Sequence, residues 1–318
     1  MKTKSPLPHQ TDRLFLTDGG LETSLIFDYH HELPCFASFP LLKTPAGRAT
    51  LREYYRTYAG LARDHGVGFI LEGPTWRANP DWGKRLGYTD ATLAQANRDA
   101  MALMHEIRAE FESPDTPVII SGNLGPRGDG YQPSSVMTAR EAAAYHGPQI
   151  RVLRDTGADL ISAFTMNYVE EAIGIADAAA ALGIPAVISF TTETDGKLPT
   201  GQTLGEAIEM VDAAATEAPA YHMINCAHPT HFHEALPEGA PWLKRIRGLR
   251  ANASCRSHAE LDECTELDAG NPDELGAQYR RLRQKLPHLH ILGGCCGTDL
   301  RHVEAICRHC IAAVAAHA

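Results

Sequence analysis

Short apolar runs alternate along the chain with longer stretches in which apolar residues recur every three or four positions. The short runs have the length of buried strands, and the longer stretches have the period of amphipathic helices. The pattern predicts eight strands, at residues 14–17, 68–72, 118–122, 159–164, 186–191, 222–226, 249–253 and 288–292. It predicts helices at residues 47–65, 89–111, 138–156, 168–182, 203–215, 271–285 and 299–316. The connection after residue 226 has the weakest helical pattern.

Strands that alternate with helices build a parallel sheet, and eight such units within 318 residues predict an α/β fold, a single (β/α)8 TIM barrel. We expect one domain that spans residues 1–318. The alternative is a doubly wound open sheet, which is less favoured because no glycine-rich dinucleotide fingerprint follows the first strand. In a barrel, active-site residues lie at the carboxyl ends of the strands.

Composition narrows the class of ligand. The net charge of −10 argues against nucleic acid or an anionic membrane as a partner, and it favours small molecules. The chain has no run of eighteen apolar residues, and its first ten residues lack the apolar segment of a signal peptide. We therefore expect a cytoplasmic protein whose eight cysteines are reduced thiols or ligands.

Cysteines occur at the ends of two predicted strands. Cys295 and Cys296 follow the eighth strand between glycines, and Cys226 ends the sixth. Adjacent side chains in a strand point to opposite faces, so Cys295 and Cys296 can serve one centre only where glycine lets the backbone turn. Near neighbours around a barrel can converge, and three thiolates with an open fourth position form the catalytic type of zinc site.

Other uses of these residues stay open at this stage. The histidines of the loop after Cys226 could supply a zinc ligand, the vicinal thiols could serve a metal-free redox reaction, and a closed four-ligand site would indicate zinc storage or sensing. The loop histidines are His228, His231 and His233. The remaining cysteines are interpreted as structural, and they are Cys35, Cys255, Cys264, Cys307 and Cys310.

Polar residues also end other strands. Asp18 and Gly19 follow the first strand, Glu72 closes the second, and the glycine-rich loop 122–131 follows the third. The loop lacks the lysine of a phosphate-binding loop, so we interpret it as a wall of the substrate site. A carboxylate at the mouth of a barrel is stabilised by a cation, which favours a ligand role for Asp18.

With these residues assembled, the chain resembles the homocysteine S-methyltransferase family, zinc-dependent barrels that move a methyl group onto a thiol. The segments that carry the resemblance are Asp18 to Thr23, Gly122 to Pro126, Asn225-Cys226 and Gly293 to Thr298. The resemblance implies that Cys226, Cys295 and Cys296 hold zinc and act through it. It also implies that Asp18 binds the amino group of homocysteine, in a substrate site that we extend to Gly19, Glu72 and Asn225.

The chain departs from the family in one respect. Many members carry a glutamate at the end of the fourth strand that also binds the substrate ammonium, and this chain has Phe164 there. Glu72 is our candidate for the missing carboxylate. Glu170 and Glu171 are interpreted instead as the start of the following helix, where acidic residues suit the helix dipole.

The function expected from these features is zinc-dependent methyl transfer from a sulfonium donor to the thiol of homocysteine, which yields methionine. S-methylmethionine and S-adenosylmethionine are the expected donors, and Trp76 or Tyr131 could face the donor cation. A quaternary-amine donor, a different thiol acceptor and the metal-free redox enzyme are the alternatives.

Overall fold

The eight predicted strands are present, and they pair in parallel and in chain order into a closed barrel whose last strand pairs with the first. The computed structural model describes residues 6–133, 136–262, 264 and 266–311. The strands are β1 (Phe15–Leu16), β2 (Gly68–Glu72), β3 (Val118–Leu124), β4 (Leu160–Met166), β5 (Ala186–Phe190), β6 (Tyr221–Asn225), β7 (Ile246–Ala251) and β8 (Ile291–Gly294). The prediction of a single (β/α)8 TIM barrel is confirmed.

Helices fill the connections between the strands. They are α1 (Leu21–Phe27), α2 (Pro45–Asp64), α3 (Pro80–Arg85), α4 (Asp90–Phe111), α5 (Ala139–Asp155), α6 (Val169–Ala181), α7 (Leu204–Ala214), α8 (Pro229–Phe232), α9 (His258–Asp262), α10 (Pro272–Lys285) and α11 (Leu300–Cys310). Within the described part of the chain, every helix is too short or too polar to cross a bilayer.

Each predicted helix is found, and four short ones were missed. Helices α1, α3, α8 and α9 have four to seven residues, which is too short for a repeating apolar stripe to stand out. The connection after residue 226, where the helical pattern of the sequence is weakest and which the structure describes in full, contains no long helix. It contains α8 and two 3-10 turns, His233–Ala235 and Pro241–Arg245. The predicted end of the last helix, at residues 312–316, lies outside the described residues.

The apolar residues form two layers. Side chains that point inward from the strands fill the barrel, and those that point outward pack against the helices. The interior cluster consists of Phe15, Ile70, Ile119, Leu160, Phe164, Val187, Tyr221, Met223 and Ile291. The barrel is therefore a solid core, and a ligand can bind only at its ends.

Strand register places three rim residues side by side at the carboxyl end. Asn225 on β6 pairs with Arg250 on β7, and Arg250 pairs with Gly293 on β8. Tyr279 of α10 joins the last two strands, because its hydroxyl donates to Gly293 O at 2.5 Å and accepts from Ala251 N at 2.8 Å. The segments that follow β6 and β8, which carry the cysteines, therefore start from neighbouring positions.

The Tyr279 bridge leads to a prediction about stability. Tyr279→Phe removes a hydrogen bond from a buried N–H and another from a buried carbonyl, so it should lower the free energy of unfolding by about 1–3 kcal/mol in urea titrations. The control is Tyr88→Phe, since the Tyr88 hydroxyl is buried without a hydrogen-bond partner among the described residues. That variant should be neutral or slightly more stable, and equal losses in the two variants would contradict a bridging role.

Candidate metal centre and active-site pocket

Three cysteines meet at the carboxyl rim of the barrel. Cys226 follows β6, and Cys295 and Cys296 follow β8. Their Sγ atoms all lie within 4.8 Å of one another, and Cys226 and Cys296 are 4.0 Å apart. Zinc–sulfur bonds of about 2.3 Å in a tetrahedral arrangement need sulfur atoms roughly 3.8 Å apart. The donor set therefore fits a zinc ion, and the distance between Cys226 and Cys296 is close to the spacing that zinc requires.

Two of the three sulfurs are joined in this structure. Cys226 and Cys295 form a disulfide, and Cys296 is free. Burial raises the pKa of the Cys296 thiol to about 12, so without a cation this thiol is neutral at pH 7. A thiolate is the form that binds metal, and the three thiols would hold a metal only after reduction of the disulfide.

Local backbone turns bring the thiols together. Cys226 has a φ of +53°, the left-handed conformation that non-glycine residues rarely adopt. After the cysteine pair, Gly297 has a φ of +77°, and Thr298 N donates to Cys295 O at 3.1 Å to close the turn. Glycine adopts this φ at no steric cost. The vicinal cysteines thus sit on a turn, as the glycine pattern predicted.

Asn225 holds a second left-handed residue beside the centre. Thr165 has a φ of +62° within a bulge of β4, and such a φ is a genuine outlier for a β-branched side chain. Thr165 N donates to Asn225 Oδ1, and Asn225 Nδ2 donates to Thr165 Oγ1, both at 2.9 Å. Ser189 Oγ also donates to Asn225 Oδ1 at 2.7 Å. Asn225 therefore holds Thr165 and Ser189 in place on one side of the pocket.

Asp18 lies in the pocket in an ion pair. Arg250 Nη1 donates to Asp18 Oδ1 at 2.5 Å, and Tyr54 Oη donates to Asp18 Oδ2 at 3.0 Å. Arg250 Nη2 donates to Gly19 O at 3.0 Å. The sequence analysis missed Arg250, although an arginine inside the apolar run of a barrel strand signals a polar group at the rim.

Glu72 is the second buried carboxylate of the pocket. Its side chain is 3% exposed, and its Oε2 has no hydrogen-bond partner among the described residues. Burial raises the pKa of Glu72 to about 7, against a smaller opposing effect of Arg250. Phe164 lies on the same pocket with its ring 5.2 Å from the Arg250 guanidinium. Glu72 is thus a carboxylate with unused acceptor capacity.

These groups line one cavity of about 430 Å³ above the barrel. Four further acidic residues line it, namely Glu22, Asp129, Glu266 and Asp268. Both aromatic candidates line it with one face covered, since Trp76 stacks on the Arg77 guanidinium at 4.1 Å and Tyr131 stacks on His258 at 3.7 Å. The cavity is large enough for two small molecules, and most of the charged residues that line it are acidic.

Other predicted candidates lie away from the thiols. Among the described residues, the only group of donor atoms close enough to share a metal is the three cysteines, and it includes no histidine. His231 Nε2 instead bonds to Cys255 O at 2.8 Å. Cys307 and Cys310 are buried in α11. Glu171 starts α6 as expected, and it bonds to buried His146 at 2.8 Å and accepts from Arg127 N at 2.8 Å.

The chain matches a known protein family and resembles solved structures. The family model described as homocysteine S-methyltransferase matches residues 15–310. The homocysteine methyltransferase MmuM from Escherichia coli is similar in structure. Its oxidized form has a TM-score of 0.71 at 20% identity over 98% of both chains. Its metallated form has a TM-score of 0.66 at 18% identity over 93% of this chain and 96% of that chain. No curated protein matches in sequence.

The buried Glu72 leads to a prediction about pH. Its pKa in the folded protein is about 7 against an ordinary value of 4.5. Between these values the native protein binds a proton that the unfolded chain has released, so the free energy of unfolding falls as pH rises. Glu72→Gln lacks this loss, and its stability relative to wild type should rise from pH 5 to pH 8 by up to roughly 3 kcal/mol.

Urea titrations at these two pH values measure the effect. The matched control is Glu217→Gln, because Glu217 is exposed, and its difference from wild type should be the same at both pH values. A Glu72→Gln variant whose difference from wild type is also constant would mean that Glu72 ionises normally in the folded protein.

Proposed function

Because the chain belongs to the homocysteine S-methyltransferase family and is therefore a methyltransferase, we propose that it transfers a methyl group from a sulfonium donor to the thiol of homocysteine with the help of zinc. The observation that carries the proposal is the convergence of Cys226, Cys295 and Cys296, whose Sγ atoms lie within 4.8 Å of one another in a cavity. Catalytic zinc sites have three protein ligands and leave a position for another group.

The three cysteines would hold the metal as thiolates. Bound zinc would lower the pKa of a coordinating thiol and so provide a nucleophilic acceptor sulfur at neutral pH. Residues of the protein itself position the ligand atoms and the pocket around them. The left-handed turn at Cys226 and the turn at Gly297 hold the ligand atoms near one point, and the Asn225–Thr165 pair fixes the wall beside them.

The four further acidic residues of the cavity favour a cationic donor. Glu22, Asp129, Glu266 and Asp268 line the cavity, and carboxylates attract a positively charged ligand. In the reaction the acceptor sulfur forms a bond to the methyl carbon while the bond from that carbon to the sulfonium sulfur breaks. The electron pair stays on the departing sulfur, which leaves as a neutral thioether. S-methylmethionine and S-adenosylmethionine fit this chemistry, and a quaternary amine is the alternative.

The inner cavity would hold the amino acid part of the acceptor. Asp18, Gly19, Glu72 and Asn225 surround the space next to the thiols. An ammonium group needs acceptors for three donors when it is buried. Glu72 has an oxygen without a partner among the described residues, so we assign it as an ammonium ligand. Asn225 contributes by holding the wall of the pocket in position, because its side chain bonds to Thr165 and Ser189.

The disulfide favours one second candidate. Cys226 and Cys295 are bonded, with Cys296 Sγ 4.0 Å from Cys226 Sγ. In its thiolate form Cys296 could attack the disulfide from this distance, which is the step of thiol–disulfide exchange, but burial favours the neutral thiol when no cation is bound. A metal-free enzyme of this kind would exchange the bond with an external dithiol.

The metal content discriminates between the two functions. Reduced protein purified without chelator should hold about one zinc per chain, and Cys296→Ser should lose both the zinc and methyl transfer, since it removes one of three ligands. Elemental analysis and a homocysteine methylation assay measure the two quantities. The control is Cys255→Ser, which changes an exposed free cysteine and should keep both. Metal-free protein that exchanges disulfides would favour the redox enzyme.

A second prediction concerns Glu72 and the acceptor. Glu72→Gln should raise the KM for homocysteine ten- to hundredfold, because a hydrogen bond to a charged group contributes roughly 1.5–3 kcal/mol. The matched substrate is 4-mercaptobutyrate, which is homocysteine without the amino group, and its KM should change by less than about threefold. Equal losses with the two thiols would mean that Glu72 holds the pocket wall and does not bind the ammonium.

A further inference from the structure

Arg250 is a buried cation between the two carboxylates of the acceptor pocket. It is 7% exposed and lies on β7 in register with Asn225. Asp18 and Glu72 are the charges that act on it most strongly. Its hydrogen bonds go to Asp18 and to Gly19 O. Arg250 is thus paired with Asp18, and its charge also acts on Glu72, where it lowers the pKa.

The hydrogen bonds of the two carboxylates differ accordingly. Each Asp18 oxygen accepts a bond, one from Arg250 and one from Tyr54, and the charge of Asp18 is balanced by the guanidinium. Glu72 keeps an oxygen that has no partner among the described residues. A ligand ammonium gains most from a carboxylate that is desolvated and not already paired, because an unpaired buried charge is the costlier one.

We propose that Arg250 determines acceptor specificity by pairing with Asp18, which assigns the ammonium group of the acceptor to Glu72. The inference rests on the proposed function and deepens it. With the Asp18–Arg250 pair neutral, Glu72 offers the ammonium group a carboxylate oxygen that has no partner among the described residues. Glu22, which also lines the cavity, already accepts a hydrogen bond from Ser38. The Phe164 ring packs near the guanidinium, with the ring centroid 5.2 Å from Arg250 Cζ. Glu72 is therefore the carboxylate that selects an amino acid thiol.

The decisive variant removes both members of the ion pair. Asp18→Asn combined with Arg250→Met removes both charges of the ion pair, so neither partner is left buried and uncompensated, which is the main cost of breaking such a pair. Glu72 is untouched. The measurement is the ratio of kcat/KM for homocysteine to kcat/KM for 4-mercaptobutyrate. The double variant should keep this ratio within about threefold of wild type, whereas Asp18 as the ammonium ligand would require a ten- to hundredfold fall.

A double-mutant cycle of Glu72→Gln and Arg250→Met gives an independent test of the assignment. Glu72→Gln should lower the homocysteine preference ten- to hundredfold in wild type, but less than about threefold in Arg250→Met, where the released Asp18 can accept the ammonium. Equal losses in the two backgrounds would overturn the proposal. Arg250 would then have only a structural role, linking β7 to Gly19 through its hydrogen bond. A fall in kcat/KM for both thiols alike in Arg250→Met would instead show that Arg250 binds the shared carboxylate, which also overturns it.

Controls separate folding and chemistry from specificity. Each variant is checked for its melting temperature and for zinc per chain, and Arg250→Lys, which keeps the charge, should keep the preference for homocysteine. Calorimetric titration with L-methionine, the methylated product, gives a readout that needs no turnover. If wild type transfers no methyl group to homocysteine, the proposed function fails. If it does and the Asp18→Asn/Arg250→Met variant loses its preference, only the role of Arg250 fails.

Discussion

The in-register pairing of β6, β7 and β8 is the constraint on which the rest of the site depends. It places Asn225, Arg250 and Gly293 next to one another at the carboxyl rim. The residues that follow two of these strands are the cysteines, so their convergence is a consequence of backbone hydrogen bonding. A change of one residue in the register of β8 would turn its side chains to the other face of the barrel. The Tyr279 bridge between β7 and β8 stabilises this register.

The site is also held in conformations that are unfavourable in isolation. Cys226 and Thr165 both have left-handed backbones without being glycine. Such residues each cost of order 1–3 kcal/mol and persist where their surroundings determine them. Asn225 supplies this support, since its side-chain amide bonds to both the backbone and the hydroxyl of Thr165. The strained residues therefore lie at the pocket, where a defined arrangement of groups matters for chemistry.

Much of this arrangement could be predicted from the sequence because it follows local patterns. The strands are visible as apolar runs, and the cysteines mark the ends of two of them. The ion pair could not be predicted, because Asp18 and Arg250 are 232 residues apart and no pattern specifies which carboxylate an inward-facing arginine approaches. The bulge at Thr165 was missed for a similar reason, since threonine is common in regular strands. The disulfide between Cys226 and Cys295 depends on the redox state, which the sequence does not encode.

An electrostatic argument gives a reason for a buried arginine at this rim. In the proposed zinc form, three thiolates outweigh the charge of the metal and leave one net negative charge, and Asp18 and Glu72 lie in the same cavity. Like charges that share a buried site disfavour one another's ionisation. Arg250 balances Asp18, so fewer negative charges oppose the thiolates, and the carboxylate left over is the one with a pKa of about 7. The arginine thus limits the negative charge of the pocket while leaving a single carboxylate for a cationic group.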